Sequence, residues 1–358
     1  MNFYYLCTVK SVHMNFGFFN PDGVGVDNGN YFGMDFKLEE ARLVLISAPW
    51  DVTSSYGAGS VYAPDAIIDA STQLDFYDPV SPDRWREGIA TAPVNYSLEE
   101  DSQRLRGDAE RIIKQLENGS DIASDYFARK LRRINEGCAA MNAAVFDEVS
   151  HWIAEGRITG LVGGDHSTAY GSIKAVARHN EGLGILHFDA HRDLREAYES
   201  FEYSHASVMF NVLRDVPEVS KLVQVGVRDF CYTEKRIAET DPRIVSFEWN
   251  RLANDKFEGR TWASICAEIV ETLPQTVYIS MDIDALSIEY CPHTGTPVAG
   301  GLTFDEAVYL MDCVARSGRR IAGFDLVEVV PDMNDKTDAS VGARMLYKMC
   351  GIALKSNE

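Results

Sequence analysis

Short apolar runs recur along the chain and alternate with stretches whose apolar positions repeat every three to four residues. The short runs at 41–48, 158–162, 183–188, 221–226, 244–247, 276–281 and 320–326 read as buried strands. The longer periodic stretches at 64–74, 97–118, 125–156, 232–239, 262–272, 303–317 and 338–353 read as helices. Pro64 suits a first helical turn, Ser97-Leu-Glu-Glu100 offers a capping box, and Gly119 a stop. Strands alternating with amphipathic helices predict an α/β fold, a mostly parallel sheet covered on both faces in three αβα layers. Residues 15–36, rich in Gly, Asn, Asp and Phe, read as an irregular lead-in. With no linker, repeat or low-complexity block, the expected layout is a lead-in over 1–40 and one domain over 41–358.

Composition narrows the function classes. At 358 residues, a formal charge of -20 argues against nucleic-acid binding, which needs a basic surface. The seven cysteines (7, 138, 231, 266, 291, 313 and 350) are odd in number, widely spaced and never C-x-x-C. They form neither a disulfide framework nor a zinc knuckle, so a reducing, cytoplasmic setting is expected. No apolar stretch reaches membrane-spanning length. The segment from Met1 has no basic residues before its apolar part and makes a poor signal peptide, and Met14 is an alternative start.

Three of the strands end in ligand-type residues. Leu183-Gly-Ile-Leu-His-Phe-Asp-Ala-His-Arg-Asp193 places Asp189, His191 and Asp193 at alternate positions after its apolar run. Alone, this is equally a charged turn or a metal loop. Val162-Gly-Gly-Asp-His-Ser167 presents Asp165 and His166, and Tyr278-Ile-Ser-Met-Asp-Ile-Asp284 ends in Asp282 and Asp284. Carboxylates two positions apart on a strand point the same way and repel, so they call for a cation or a proton. Open α/β sheets gather their chemistry at the carboxyl ends of strands. Six such ligands, two of them bridging, would hold two divalent ions about 3.5–4 Å apart.

Gly163-Gly-Asp-His-Ser167, Asp189-Ala-His-Arg-Asp193 and Ser280-Met-Asp-Ile-Asp284 resemble the three metal signatures of the ureohydrolase family, which includes arginase and agmatinase. The resemblance covers roughly residues 40 to 353. It implies an arginase/deacetylase-like fold with a central parallel eight-stranded sheet, a trimer or hexamer, and two manganese ions, with nickel as the alternative. By position, Asp189 and Asp282 would bridge the metals. His166 and Asp193 would complete one site, and His191 and Asp284 the other, with Asp165 orienting a neighbouring ligand. Asp193 would also align the attacking hydroxide. His205, in Tyr203-Ser-His-Ala-Ser207, matches the proton-shuttling histidine. Glu328, after the strand at 320–326, matches the glutamate that pairs with a guanidinium, and Thr296 a residue that steadies it.

The resemblance implies a hydrolase that splits a guanidino C–N bond into urea and an amine. The chain departs from the family at Ser287-Ile288, where Asp-Pro is usual, and at Cys291-Pro-His293. Leu194-Arg195 and Phe201-Glu-Tyr203 replace the residues with which arginase reads an amino acid end. Trp50 and Tyr56, in the early Gly/Ser loop, offer aromatic faces to a cation, and His293 is a further candidate for the pocket. The expected substrate is a small cationic guanidine, agmatine first, then guanidine, metformin or guanidinobutyrate. Rival readings are a formimidoylglutamase, with Arg192 or Arg195 meeting carboxylates, and a hetero-oligomer subunit active only beside a homologous partner.

Overall fold

A computed structural model describes residues 19–358; Cys7, Met14 and the rest of 1–18 lie outside the described residues. The strands are β1 (Leu43–Ala48), β2 (Ile89–Thr91), β3 (Ile158–Gly163), β4 (Leu183–Phe188), β5 (Val219–Val225), β6 (Ile244–Phe247), β7 (Thr276–Asp282) and β8 (Arg320–Val327). They form one sheet in the order β2-β1-β3-β8-β7-β4-β5-β6, and every pairing is parallel. The helices are α1 (Ala63–Ser71), α2 (Tyr96–Glu117), α3 (Asp125–Ala154), α4 (Ala169–Arg178), α5 (Val208–Asp215), α6 (Tyr232–Thr240), α7 (Trp249–Phe257), α8 (Trp262–Thr272), α9 (Phe304–Arg316) and α10 (Thr337–Ser356).

Side-chain alternation along the strands builds two cores. On β1, Val44 and Ile46 pack with apolar residues of α2 to α5, whereas Leu43 and Leu45 pack with those of α1 and α7 to α10. These are the three αβα layers. The lead-in is tied down by Tyr31, Phe32 and Met34, which are buried in the second core. Among the described residues, no helix is long and apolar enough to cross a membrane.

Four elements escaped the pattern reading: β2, α4, α5 and α7. β2 is only three residues long. α4 buries eight of its ten residues, and its polar stripe is only Lys174 and Arg178, too short to mark a helical period along the sequence. The capping box expected at Ser97 does not form. α2 starts one residue earlier, at Tyr96, and Asn95 caps it by accepting from the Ser97 amide. Gly119, at φ +70°, follows the helix end as expected.

The strand order sets the site. β3, β8, β7 and β4 are neighbours, and the three signatures and Glu328 follow their carboxyl ends. Residues far apart in sequence therefore meet along one rim of the sheet.

Candidate active site

The first signature leaves β3 through Gly164, whose backbone presses against the β1 loop. A Cβ there would lie 1.9 Å from the Trp50 carbonyl oxygen, so only glycine fits. Asp165 then accepts from the Ser167 amide at 3.1 Å and from Thr53 Oγ1 at 3.2 Å. Thr53 Oγ1 in turn accepts from the backbone N–H of His205 at 3.2 Å. Asp165 thus braces the turn that presents His166 and the residue that carries His205.

The predicted ligands converge. His166 Nδ1 lies 3.0 Å from Asp193 Oδ2 and 3.2 Å from both Asp189 Oδ2 and Asp282 Oδ2. His191 Nδ1 lies 3.0 Å from Asp284 Oδ2 and 3.4 Å from Asp189 Oδ1. Asp189 thereby belongs to two adjoining groups of facing ligands, one around His166 and one around His191. Backbone amides fix one oxygen of each carboxylate of the third signature and leave the other facing inward. Asp282 Oδ1 accepts from Asp284 N, and Asp284 Oδ1 from Ala190 N, both at 2.9 Å.

This donor set fits metal ions. His166 Nδ1 and Asp284 Oδ2 are buried without a hydrogen-bond partner, an arrangement that costs free energy unless a cation completes it. Burial pushes Asp193 up to about 7, with the charge of Asp189 adding to it. Burial, then Asp284 and Asp189, raise Asp282 well above the carboxylate range. Bound divalent ions would reverse that logic and keep these groups ionised. Oxygen and imidazole donors together suit a borderline ion such as manganese or nickel.

A cavity of about 380 Å³ opens over these residues, and His166, His191, Asp193 and Asp282 lie in its wall with His205, Thr296 and Glu328. Glu328 Oε1 accepts from the His166 amide at 2.8 Å. Its backbone sits at φ +62°, and that of Asp193 at φ +54°, a left-handed conformation that non-glycine residues seldom take. Burial, then the charge of Asp165, hold Glu328 well above its ordinary pKa. His205 Nε2 stands 3.4 Å from Ser55 Oγ and Nδ1 3.3 Å from Ser204 Oγ. Burial and the neighbouring His191 lower its pKa, so the resting imidazole is neutral.

Other candidates fall elsewhere. Trp50 is 1% exposed and packs in the core beside α2 and α3, away from the cavity, so its ring meets no substrate. His293 is also turned from the cavity, because Asp338 takes both its backbone N–H, at 3.0 Å, and Nδ1, at 2.7 Å. Thr296 lines the cavity, but the hydroxyl that bonds Glu328 is that of Thr294, to the backbone oxygen at 2.8 Å. Tyr56 does reach the mouth of the cavity. Sequence reasoning missed Tyr198, Asp229 and Phe230 in its wall and His187 beside Asp189. His187 lies inside the second signature strand, where the signal was its polarity in an otherwise apolar run.

The arginase-family model matches residues 41–351. N(1)-aminopropylagmatine ureohydrolase of Thermus thermophilus is 29% identical over 324 residues, 89% of this chain and 92% of that protein. Agmatinase of Bacillus subtilis is 28% identical over 325 residues, 87% of this chain and 92% of its own length. Among solved structures, agmatine ureohydrolase of Thermoplasma volcanium superimposes with a TM-score of 0.66 at 23% identity, covering 89% of this chain and 92% of that one.

Proposed function

The chain belongs to the arginase family, and from that premise we propose that its substrate is a guanidine carrying an amine-terminated chain, agmatine or its N1-aminopropyl derivative. The family membership makes it a metal-dependent ureohydrolase, which splits a guanidino C–N bond into urea and an amine. The observation that carries the substrate class is the cavity wall. Glu328 lies at its inner end beside His166, and the exposed carboxylate of Asp229 belongs to the same wall with no side-chain partner among the described residues. Tyr56, Tyr198 and Phe230 supply aromatic lining that suits a methylene chain and a cationic amine. Arg195, the one arginine or lysine in that wall among the described residues, has its Nε 3.7 Å from Glu234 Oε2 and its guanidinium 4.5 Å from the centre of the Tyr198 ring.

In this reading His166, Asp189, His191, Asp193, Asp282 and Asp284 hold two ions, manganese first and nickel second. Ions bound there supply an activated water as nucleophile near neutral pH. Asp193, in the cavity wall, would accept a hydrogen bond from the attacking water and align it. Glu328 Oε2 pairs with the guanidinium, and Thr294 and the His166 amide keep the glutamate in place. His205, neutral at rest, takes up a proton and delivers it to the departing amine, whose basicity forbids leaving as an anion. We also read residues 41–358 as the catalytic domain of a cytoplasmic homo-oligomer, a trimer or hexamer, which native mass measurement tests.

The deciding experiment is urea release from agmatine, N1-aminopropylagmatine, arginine, guanidinobutyrate, guanidine, metformin and formimidoylglutamate, with Mn2+ and Ni2+ supplied separately. An amine-tailed guanidine is expected to exceed every carboxylated compound by about tenfold or more in kcat/KM, a difference of about 1.4 kcal/mol. Preference for guanidinobutyrate or formimidoylglutamate would overturn that substrate class and assign tail recognition to Arg195. Silence on every compound from a chain holding two ions would point to a partner subunit.

A further inference from the structure

Two imidazoles stand in the group of ligands around Asp193, those of His166 and His187, and their outer nitrogens are bonded in opposite senses. His166 Nε2 faces Ser280 Oγ at 2.9 Å, and that hydroxyl donates to Asp325 Oδ1 at 2.9 Å. A hydroxyl already donating elsewhere accepts from the ring, so the His166 proton sits on Nε2. Its Nδ1 lone pair is then directed at Asp189, Asp193 and Asp282, as a metal ligand requires.

His187 is fully buried, with Nδ1 3.2 Å from Gln224 Nε2 and Nε2 2.8 Å from Asp189 Oδ2. Arg192 fixes which way the Gln224 amide faces. The Arg192 guanidinium donates to Gln224 Oε1 at 3.1 Å, and the Arg192 carbonyl accepts from Gln224 Nε2 at 2.9 Å. Ser246 Oγ adds a donor to the same Oε1 at 3.4 Å. Gln224 therefore presents an N–H to His187 Nδ1, which must accept. The ring proton is left on Nε2, directed at Asp189. A protonated nitrogen has no lone pair to offer a metal.

We propose that His187 is a positioning residue and not a ligand: Gln224 and Arg192 set its ring so that Nε2–H holds Asp189 Oδ2 in place between His166 and His191, among the residues that would hold the two ions. The inference rests on the dinuclear reading above. It also ties that carboxylate to the substrate cavity. Arg192 is 1% exposed, pairs with Glu248, and lies 4.0 Å from the centre of the Phe230 ring in the cavity wall.

His187→Phe keeps a ring and removes the N–H, whereas His187→Gln returns an amide N–H near the position of Nε2. The metal-free natural chain and both variants would be titrated with Mn2+ alone by calorimetry, with thermal melts to verify folding. All three are expected to bind two ions. Affinity should fall on the order of 10- to 100-fold in the Phe variant and largely recover in the Gln variant. A folded Phe variant with natural affinity would overturn the proposal, as would a Gln variant as weak as the Phe one. Loss of one ion outright in the Phe variant would make His187 a ligand. If that variant does not fold, Gln224→Met removes the amide that sets the tautomer; a severalfold weaker titration is expected, and an unchanged one overturns the proposal. A natural chain that takes up no Mn2+ overturns the dinuclear reading and this inference with it.

Discussion

Glu328 carries the clearest conflict between stability and function in a single residue. Its backbone is strained at a left-handed φ, and burial and the nearby charge of Asp165 make its ionised form costly in the folded chain. Glu328→Gln keeps the shape and removes the charge. The melting temperature of this variant should be equal to or above that of the natural chain, while kcat/KM falls on the order of 10²–10³-fold. A variant that keeps its turnover would remove Glu328 from substrate recognition. Ser280 shows a second dependence. Ser280→Ala leaves the His166 Nε2–H buried and unpaired, and Mn2+ affinity measured by titration should weaken by about 10-fold or more. At this scale the sequence offered the ligand types: one acidic strand end was equally a charged turn, and only three of them in one sheet pointed to a metal. It could not separate His166 from His187. What separates them is a hydroxyl on β7 and an amide on β5, brought near only by the folded sheet.

The strands were legible because four neighbours at the centre of the sheet are buried on both faces and read as continuous apolar runs. The loops between them were not. Trp50 illustrates why: a tryptophan in a Gly/Ser loop suits a pocket or a core equally, and packing of α2 and α3 against β1 decided for the core. Arg228 is the loop residue on which most backbone depends. Its guanidinium donates to the carbonyls of Gly226, Asp284, Leu286, Val298 and Ala299, at 2.8–3.3 Å. It thereby joins the end of β5, the turn carrying Asp284, and the cavity wall at Val298. Lysine has the charge but not the planar fork. Arg228→Lys should lower stability by about 2 kcal/mol in denaturant titration and raise KM more than it lowers kcat, because the wall loosens while the ligand side chains remain. Unchanged KM would show that the wall is held by other contacts.

For the molecule as a whole, a net charge of -20 meets a core that gathers carboxylates at one rim, and the two act together on stability. Asp165, Asp193, Asp282 and Glu328 have folded-state pKa values raised by burial first, to about 6 and about 7 in the first two. A raised carboxyl binds its proton more tightly folded than unfolded, so stability falls as pH rises from about 4 towards 7. His166 and His191, raised by the surrounding aspartates, oppose burial and add stability that is likewise lost as pH rises through their folded values. Asp189, held well below its ordinary pKa, stabilises throughout that range and does not change the slope. His205 and His187, lowered by burial first, act in the opposite sense, but they are two groups against four raised carboxyls and two raised imidazoles, so the metal-free chain should melt at a higher temperature at pH 5 than at pH 7.5. Mn2+ should reverse the trend, because at the proposed site it would bind the deprotonated ligands and compete with protons for them. The melting-temperature rise on adding Mn2+ should be several degrees larger at pH 7.5 than at pH 5, reflecting a few kcal/mol of linked ionisation. Equal rises at both pH values would mean that the rim carboxylates are not the metal site, whatever their geometry. A rise that grows with pH would identify as metal ligands the same groups whose crowding destabilises the metal-free fold.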